Sequence, residues 1–234
     1  MKKLLSYFSK TEQVLWCTSA ALIVLSFLLF GRNDLLTLCA SLIGVTSLLF
    51  NAKGNPVGQL LMVIFSLLYG VISYQRAYYG EMFTYLGMTM PMALFALISW
   101  LRNPFRGNRA EVAVNRLARW EWLVLPVLTA AVTAVFYFIL AYFHTAYLPL
   151  STFSVTTSFL AVYLTFRRSP WFALAYAAND VVLIALWALA AAQQRSFTGV
   201  VVCFAAFLAG DLYGFVSWRR MARRQVELCR LREE

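Results

Sequence analysis

Two acids, Asp180 and Asp211, lie deep inside apolar runs of this sequence, and Asn179 stands beside the first. At helical spacing Tyr176, Asn179, Asp180, Leu183 and Trp187 share one face, and Phe204, Phe207, Asp211, Gly214, Phe215 and Trp218 share another. Carboxylates and carboxamides accept hydrogen bonds from sugar hydroxyls. Aromatic faces stack a flat heterocycle, or steady a cationic ring by about 0.5–2 kcal/mol each. Such a wall suits a neutral or cationic ring bearing a sugar. It suits a phosphorylated one poorly, because the apolar runs supply no lysine or arginine for the phosphate. Two other uses of the acids compete with binding: a proton relay through Asp180 and Asp211, and helix packing locked by neighbouring hydroxyls. A milder polar set lies earlier in the chain. Gln59, Met62, Ser66 and Ser73 fall on one side of a helix, with Tyr69 a little off it. Thr84, Met88, Pro91 and Phe95 line the next, where Pro91 should kink the helix and free a carbonyl. The hydroxyls from Ser151 to Ser158 read as groups that join helices.

The elements that position these residues follow from composition. Of 234 residues, 62% are apolar and 13% charged, and mean hydropathy is +0.70. A soluble domain carries about 45–50% and about 25%, so this chain has too little polar surface for water and too much apolar mass for disorder. The reading is an all-α integral membrane protein. Eight segments span or nearly span a bilayer: Val14–Phe30, Leu35–Phe50, Val57–Tyr74, Met82–Leu101, Trp122–Phe143, Thr152–Phe166, Trp171–Ala192 and Phe197–Trp218. The second and sixth are short.

Eight spans put both termini on one side. That side then holds 17 of the 20 basic residues, from Lys2, Lys3, Lys10 and Lys53 through Arg102–Arg119 and Arg167-Arg168 to Arg232. The other side keeps Arg32, Arg76 and Arg195. The positive-inside rule places the basic side, and so both termini, in the cytoplasm of a cell inner membrane. The Lys2-Lys3 start meets no small-residue cleavage site before Gly31, so the first helix is expected to stay as an anchor. The basic segments serve topology on an anionic leaflet, and nucleic acid is not the expected partner. Cys17, Cys39, Cys203 and Cys229 show no metal-type spacing and read as small core residues. The one histidine, His144, sits at a helix end. No metal cluster, phosphate loop, dinucleotide fingerprint or protease motif is present, so neither an enzyme nor a cofactor is expected.

Two stretches resemble each other. Asn55-Pro56 opens a helix, Gln75-Arg76 marks a loop, and the following helix ends Ile98-Ser99-Trp100-Leu101-Arg102. Later Ser169-Pro170 opens a helix, Gln194-Arg195 marks the loop, and the next helix ends Val216-Ser217-Trp218-Arg219-Arg220. Proline suits a first helical turn, and tryptophan followed by arginine suits a headgroup belt. With the preceding helix added to each pair, the chain divides into an extra N-terminal helix (1–34) and a three-helix repeat (35–104). A basic interfacial stretch with a linking helix (105–145), a second repeat (146–220) and a basic tail (221–234) follow. One helix between the triplets makes the repeats parallel, related by an axis along the membrane normal.

At these residues the chain resembles the PnuC family of nicotinamide riboside transporters. The match is carried by Gly54-Asn55-Pro56-Val57-Gly58-Gln59, by Leu86-Gly87-Met88-Thr89-Met90-Pro91-Met92-Ala93, by Ile98-Ser99-Trp100-Leu101-Arg102-Asn103-Pro104, and by Ala177-Ala178-Asn179-Asp180-Val181-Val182-Leu183. The resemblance implies a fold related to the SWEET sugar transporters, facilitated diffusion of a vitamin-like ring compound, trapping by a cytoplasmic kinase, and a homotrimer. It places substrate between the repeats, on Asn179 and Asp180 first and on Gln59, Trp187, Asp211 and Tyr213 beside them. Tyr176 and Trp187, on the Asp180 face, are expected to stack the ring, and Tyr69 is a further candidate for the site. The sixth span reads Phe159-Leu160-Ala161-Val162-Tyr163-Leu164, without the tryptophan many nicotinamide riboside carriers have there. Thiamine, riboflavin and deoxynucleosides, taken by related branches, therefore stay open.

Overall fold

The structure, a computed structural model, describes residues 7–30, 35–75 and 79–231. Lys2, Lys3, Gly31, Arg32, Arg76 and Arg232, used above to read topology, lie outside the described residues. Among the described residues eight helices are long and apolar enough to cross a bilayer: α1 Lys10–Phe30, α2 Leu35–Ala52, α3 Val57–Gln75, α4 Tyr79–Arg102, α5 Glu121–Tyr142, α6 Leu148–Phe166, α7 Trp171–Gln193 and α8 Thr198–Arg230. α8 packs on α7, α2 and α1, α3 on α2 and α4, and α6 on α5, α7 and the second half of α4. α1 and α5 bury the smallest share of their length.

One end of the bundle is tied by reciprocal bonds. Trp100 Nε1 at the end of α4 donates to Thr165 O at the end of α6 (2.9 Å), and Trp218 Nε1 of α8 donates to Asn51 O at the end of α2 (2.7 Å). Both indoles are fully buried, with ring centroids 5.3 Å apart. The two corners beside them have the same backbone form. Gly54 (φ 66°) precedes Asn55-Pro56 and Arg168 (φ 57°) precedes Ser169-Pro170. The Gly54 carbonyl accepts from Val112 N and the Arg168 carbonyl from Asn115 N. At the α5 start, fully buried Glu121 accepts from Arg167 Nη2 (2.9 Å), Tyr163 Oη (3.2 Å) and Ala118 N (2.8 Å).

Several expectations need correction. Within the all-helical fold a short antiparallel hairpin, β1 (Pro104–Phe105) and β2 (Asn108–Val112), was not expected. Arg106 and Gly107 both take positive φ, as a type I′ turn requires. α8 does not stop at Trp218 but runs to Arg230, because Glu111 and Val112 of the hairpin hold Gln225 and Arg224. α6 starts earlier than expected, at Leu148, with Pro149 in its first turn. α4 is interrupted by a π-turn over Tyr85–Thr89, just ahead of Pro91. Proline cannot donate to the carbonyl four residues back, and the wider turn absorbs that loss. The π-turn also shifts register, so Phe95, expected with Thr84 and Met88, is exposed on the apolar surface. Of the cysteines only Cys203 is buried; Cys17, Cys39 and Cys229 are exposed. In a spanning helix an apolar neighbourhood includes the lipid-facing side, so burial does not follow from it.

Candidate functional site

Between α3, α4, α6, α7 and α8 lies a cavity of about 50 Å³. Its polar lining comes from Glu81, Thr84 and Thr89 of α4, from Ser154 and Ser158 of α6, and from α7 and α8. Asn179, Asp180 and Tyr176 reach it from α7 and Asp211 from α8, which brings together four of the eight residues expected at the site. Asp180 is 3% and Asp211 5% exposed, and the two carboxyl groups lie close enough to interact. Asp180 Oδ2 has no hydrogen-bond partner among the described residues. Asn179 Oδ1 lies 2.8 Å from the Thr157 hydroxyl and 3.0 Å from that of Ser158. With the amide oxygen so engaged, the amide hydrogens are what Asn179 can offer a ligand.

The apolar part is aromatic. Phe65, Tyr85, Phe204 and Phe207 line the cavity, with Phe65 edge-on to Tyr85 at 6.0 Å and to Phe207 at 5.8 Å. Among the described residues the lining holds three carboxyl groups, those of Glu81, Asp180 and Asp211, and no basic side chain. That set attracts cations and repels anions. Among the described residues no group of three His, Cys, Asp or Glu side chains is placed to hold a metal ion. At about 50 Å³ the space fits a few water molecules, whereas drug-sized ligands occupy about 300–1,000 Å³. Entry of a ring compound therefore requires the helices to part.

The other four predicted residues lie outside this lining. Tyr69 stands behind it, its ring 4.6 Å from Tyr85 and 5.5 Å from Phe65. Trp187 packs on Phe197 (5.4 Å), two helical turns beyond Asp180. Gln59 donates to Asn51 Oδ1 (2.8 Å) at the tryptophan-tied end of the bundle. The Tyr213 hydroxyl donates to Glu12 Oε1 (3.0 Å), whose other oxygen meets Lys53 Nζ (3.1 Å), and together they hold α1. Helical spacing gives a face but not a depth, and Tyr213 lies roughly 200° around α8 from Asp211.

Sequence reasoning missed Glu81, Ser154 and Ser158. Glu81 fell one residue outside the expected span at Met82, although its spacing to Thr84 and Tyr85 already placed it on their face. Ser154, Ser158 and Val162 repeat every four residues along α6 and all line the cavity. The helix-joining role expected of this run is present as well. Thr156 meets Thr133 of α5 at 3.0 Å, and Thr157 and Ser158 tie α6 to α7 through Asn179.

The chain is similar to known proteins. The profile of a family described as nicotinamide mononucleotide transporter matches residues 34–220. The nicotinamide riboside transporter PnuC of Haemophilus influenzae is 23% identical over 192 residues, which is 81% of each chain. The crystal structure of the vitamin B3 transporter PnuC superposes with a TM-score of 0.80 at 22% identity, over 93% of this chain and 94% of that one. At that identity the likeness carries the fold.

Proposed function

The chain belongs to the nicotinamide mononucleotide transporter family, and from that premise we propose that it carries nicotinamide riboside across the membrane by facilitated diffusion. The observation that supports this reading most is the lining itself: Asn179, Asp180 and Asp211 face one cavity with aromatic rings and no basic side chain among the described residues. Nicotinamide riboside is a cationic pyridinium ring bearing a carboxamide and a ribose. Asp180 and Asn179 take ribose or carboxamide groups, Tyr176 and the phenylalanines face the ring, and the carboxyls match its charge. A mononucleotide would bring a phosphate that meets only carboxyl groups. Net uptake is completed by a cytoplasmic kinase that traps the substrate.

The transport unit in this reading is a pair of parallel three-helix repeats, α2–α4 and α6–α8, with α5 as the link and α1 as an addition. The reciprocal tryptophan bonds and the paired corners support it. The tryptophan-tied face is cytoplasmic, by the basic residues it carries, and the working assembly is a homotrimer. Alternating access is rocking of the repeats about the tied end. The closeness of Asp180 and Asp211 favours a second reading, a proton-coupled porter, since a proton on either can move with the substrate.

A thermal-shift panel on purified protein tests the substrate: nicotinamide riboside, thymidine, deoxycytidine, thiamine and riboflavin. Nicotinamide riboside should give the largest stabilisation. A larger shift with a deoxynucleoside, thiamine or riboflavin overturns the assignment, and no shift with any of them contradicts transport of this class altogether.

A further inference from the structure

An open groove of about 1,100 Å³ runs along the tryptophan-tied face and shares no lining residue with the central cavity. One wall is the stretch of α8 beyond Trp218, held upright because Gln225 bonds Val114 N (2.8 Å) and Val112 O (3.0 Å). The facing wall is the strand-like segment 113–117, and the floor is Ser169-Pro170-Trp171 at the start of α7. Arg116, Arg219, Arg223 and Arg230 line it against a single acid, Glu227. None of the four arginines has a carboxylate within ion-pair distance among the described residues. The Arg219 guanidinium lies over the Trp171 ring, 5.5 Å from its centroid. Trp122, 53% exposed, opens onto the same groove from the first turn of α5.

The neighbouring corner carries a second observation. Arg168 Nε and Nη1 are shut away from solvent with no hydrogen-bond partner among the described residues. Burial, and after it the adjacent Arg167 charge, disfavour the charged form of Arg168. Arg168 is tied to the groove through its backbone, since its carbonyl accepts from Asn115 N and both Asn115 and Ser169 are lining residues. The region thus has an excess of positive charge that the protein itself leaves uncompensated. It lies at the level where α4, α6 and α8 leave the apolar layer and exposed tryptophans mark the headgroup zone.

We propose that this groove binds the head group of an anionic phospholipid, its phosphate held by Arg116, Arg219 and Arg223 and its glycerol and chains passing over Trp171 and Trp122 into the bilayer. Lipid is the source of the phosphate because the groove opens at headgroup depth, between aromatic side chains, and not into the transport cavity. Basic pockets between spanning helices are a known way to hold such lipids. A bound lipid would brace the α8 extension and the hairpin against α7, at the end where the two triplets are tied together.

The test is native mass spectrometry of the full-length protein in detergent, titrated separately with phosphatidylglycerol, cardiolipin and phosphatidylcholine. The groove variant Arg116→Gln/Arg219→Gln/Arg223→Gln is compared with Arg102→Gln/Arg109→Gln/Arg119→Gln, which removes equal charge from the same face. The anionic lipids should be retained by the wild type and by the second variant. They should weaken about fivefold for each groove arginine removed, with phosphatidylcholine weak throughout. If the groove triple does not fold, Arg223→Gln alone should show the single fivefold loss. Equal retention by the groove variant overturns the proposal, as does equal loss in both variants. Displacement of the lipid by inorganic phosphate would make this a site for soluble anions. A changed oligomeric state with lipid retention intact would make it a contact between copies of the chain. Either result contradicts the proposal.

Discussion

The corner at Gly54-Asn55-Pro56 and the corner at Arg168-Ser169-Pro170 are built alike, yet the helices that leave them diverge in chemistry. Each corner turns through a positive φ, gives its carbonyl to the segment 112–115, and lies beside a chain end that accepts from a buried indole of the opposite triplet. Ten residues beyond its proline, α3 carries Ser66 and α7 carries Asp180. Ser66 is fully buried and its hydroxyl has no partner among the described residues, whereas Asp180 faces Asp211 across the cavity lining. The corners are alike, but the carboxyl groups of the cavity lining are divided unequally: Asp180 and Asp211 stand on α7 and α8, and Glu81 on α4.

The largest effect is expected where the halves differ. Asp180→Ala should weaken nicotinamide riboside binding by about 10–100-fold, the worth of a hydrogen bond to a charged group, while the protein still inserts and elutes as the wild type does. Calorimetric binding on the purified variant checks it, and unchanged affinity would remove Asp180 from the site. Next come the indoles. Trp100→Phe and Trp218→Phe each remove one of two donors to a helix-end carbonyl, the other being Arg168 N at Thr165 O and Gly54 N at Asn51 O, and should each lower stability by about 0.5–1.5 kcal/mol, read as similar drops in melting temperature. A large drop from only one of them would break the correspondence between the two ends. Gly54→Ala should lower stability by about 1–2 kcal/mol, because a side chain at that left-handed φ is strained and its Cβ would sit 3.0 Å from Met221 Cε. Smallest is Ser66→Ala, which removes an unpaired hydroxyl and should shift stability by no more than about 0.5 kcal/mol, with affinity unchanged. A tenfold loss of affinity there would give α3 a share in recognition.

Much of this was legible in the chain. Eight apolar runs announce eight helices because backbone polar groups cannot be left open in lipid, and the carboxyls on α7 and α8 stand out because charge inside such runs is costly. The paired motifs ending at Trp100 and Trp218 also marked where the bundle is tied. What escaped depends on three-dimensional register. Hydropathy could not show that Pro91 would be met by a π-turn, and that turn moves Phe95 outward. Glu81 was lost to a boundary set one residue too late. Gln59 is polar and buried and Tyr213 polar and half-buried, as binding residues could be, but they hold the Asn51 corner and α1 instead. The hairpin at 104–112 is too short and too basic to register against the apolar runs around it, and with it went the support that carries α8 on to Arg230.

The most direct measurement is equilibration of labelled nicotinamide riboside into proteoliposomes that contain no kinase and no ion gradient. Wild-type protein should bring the internal concentration up to the external one and no further, insensitive to an uncoupler, while Asp180→Ala vesicles fill no faster than protein-free ones. Filling by Asp180→Ala at the wild-type rate, or accumulation above the external level when a proton gradient is imposed, would contradict the account.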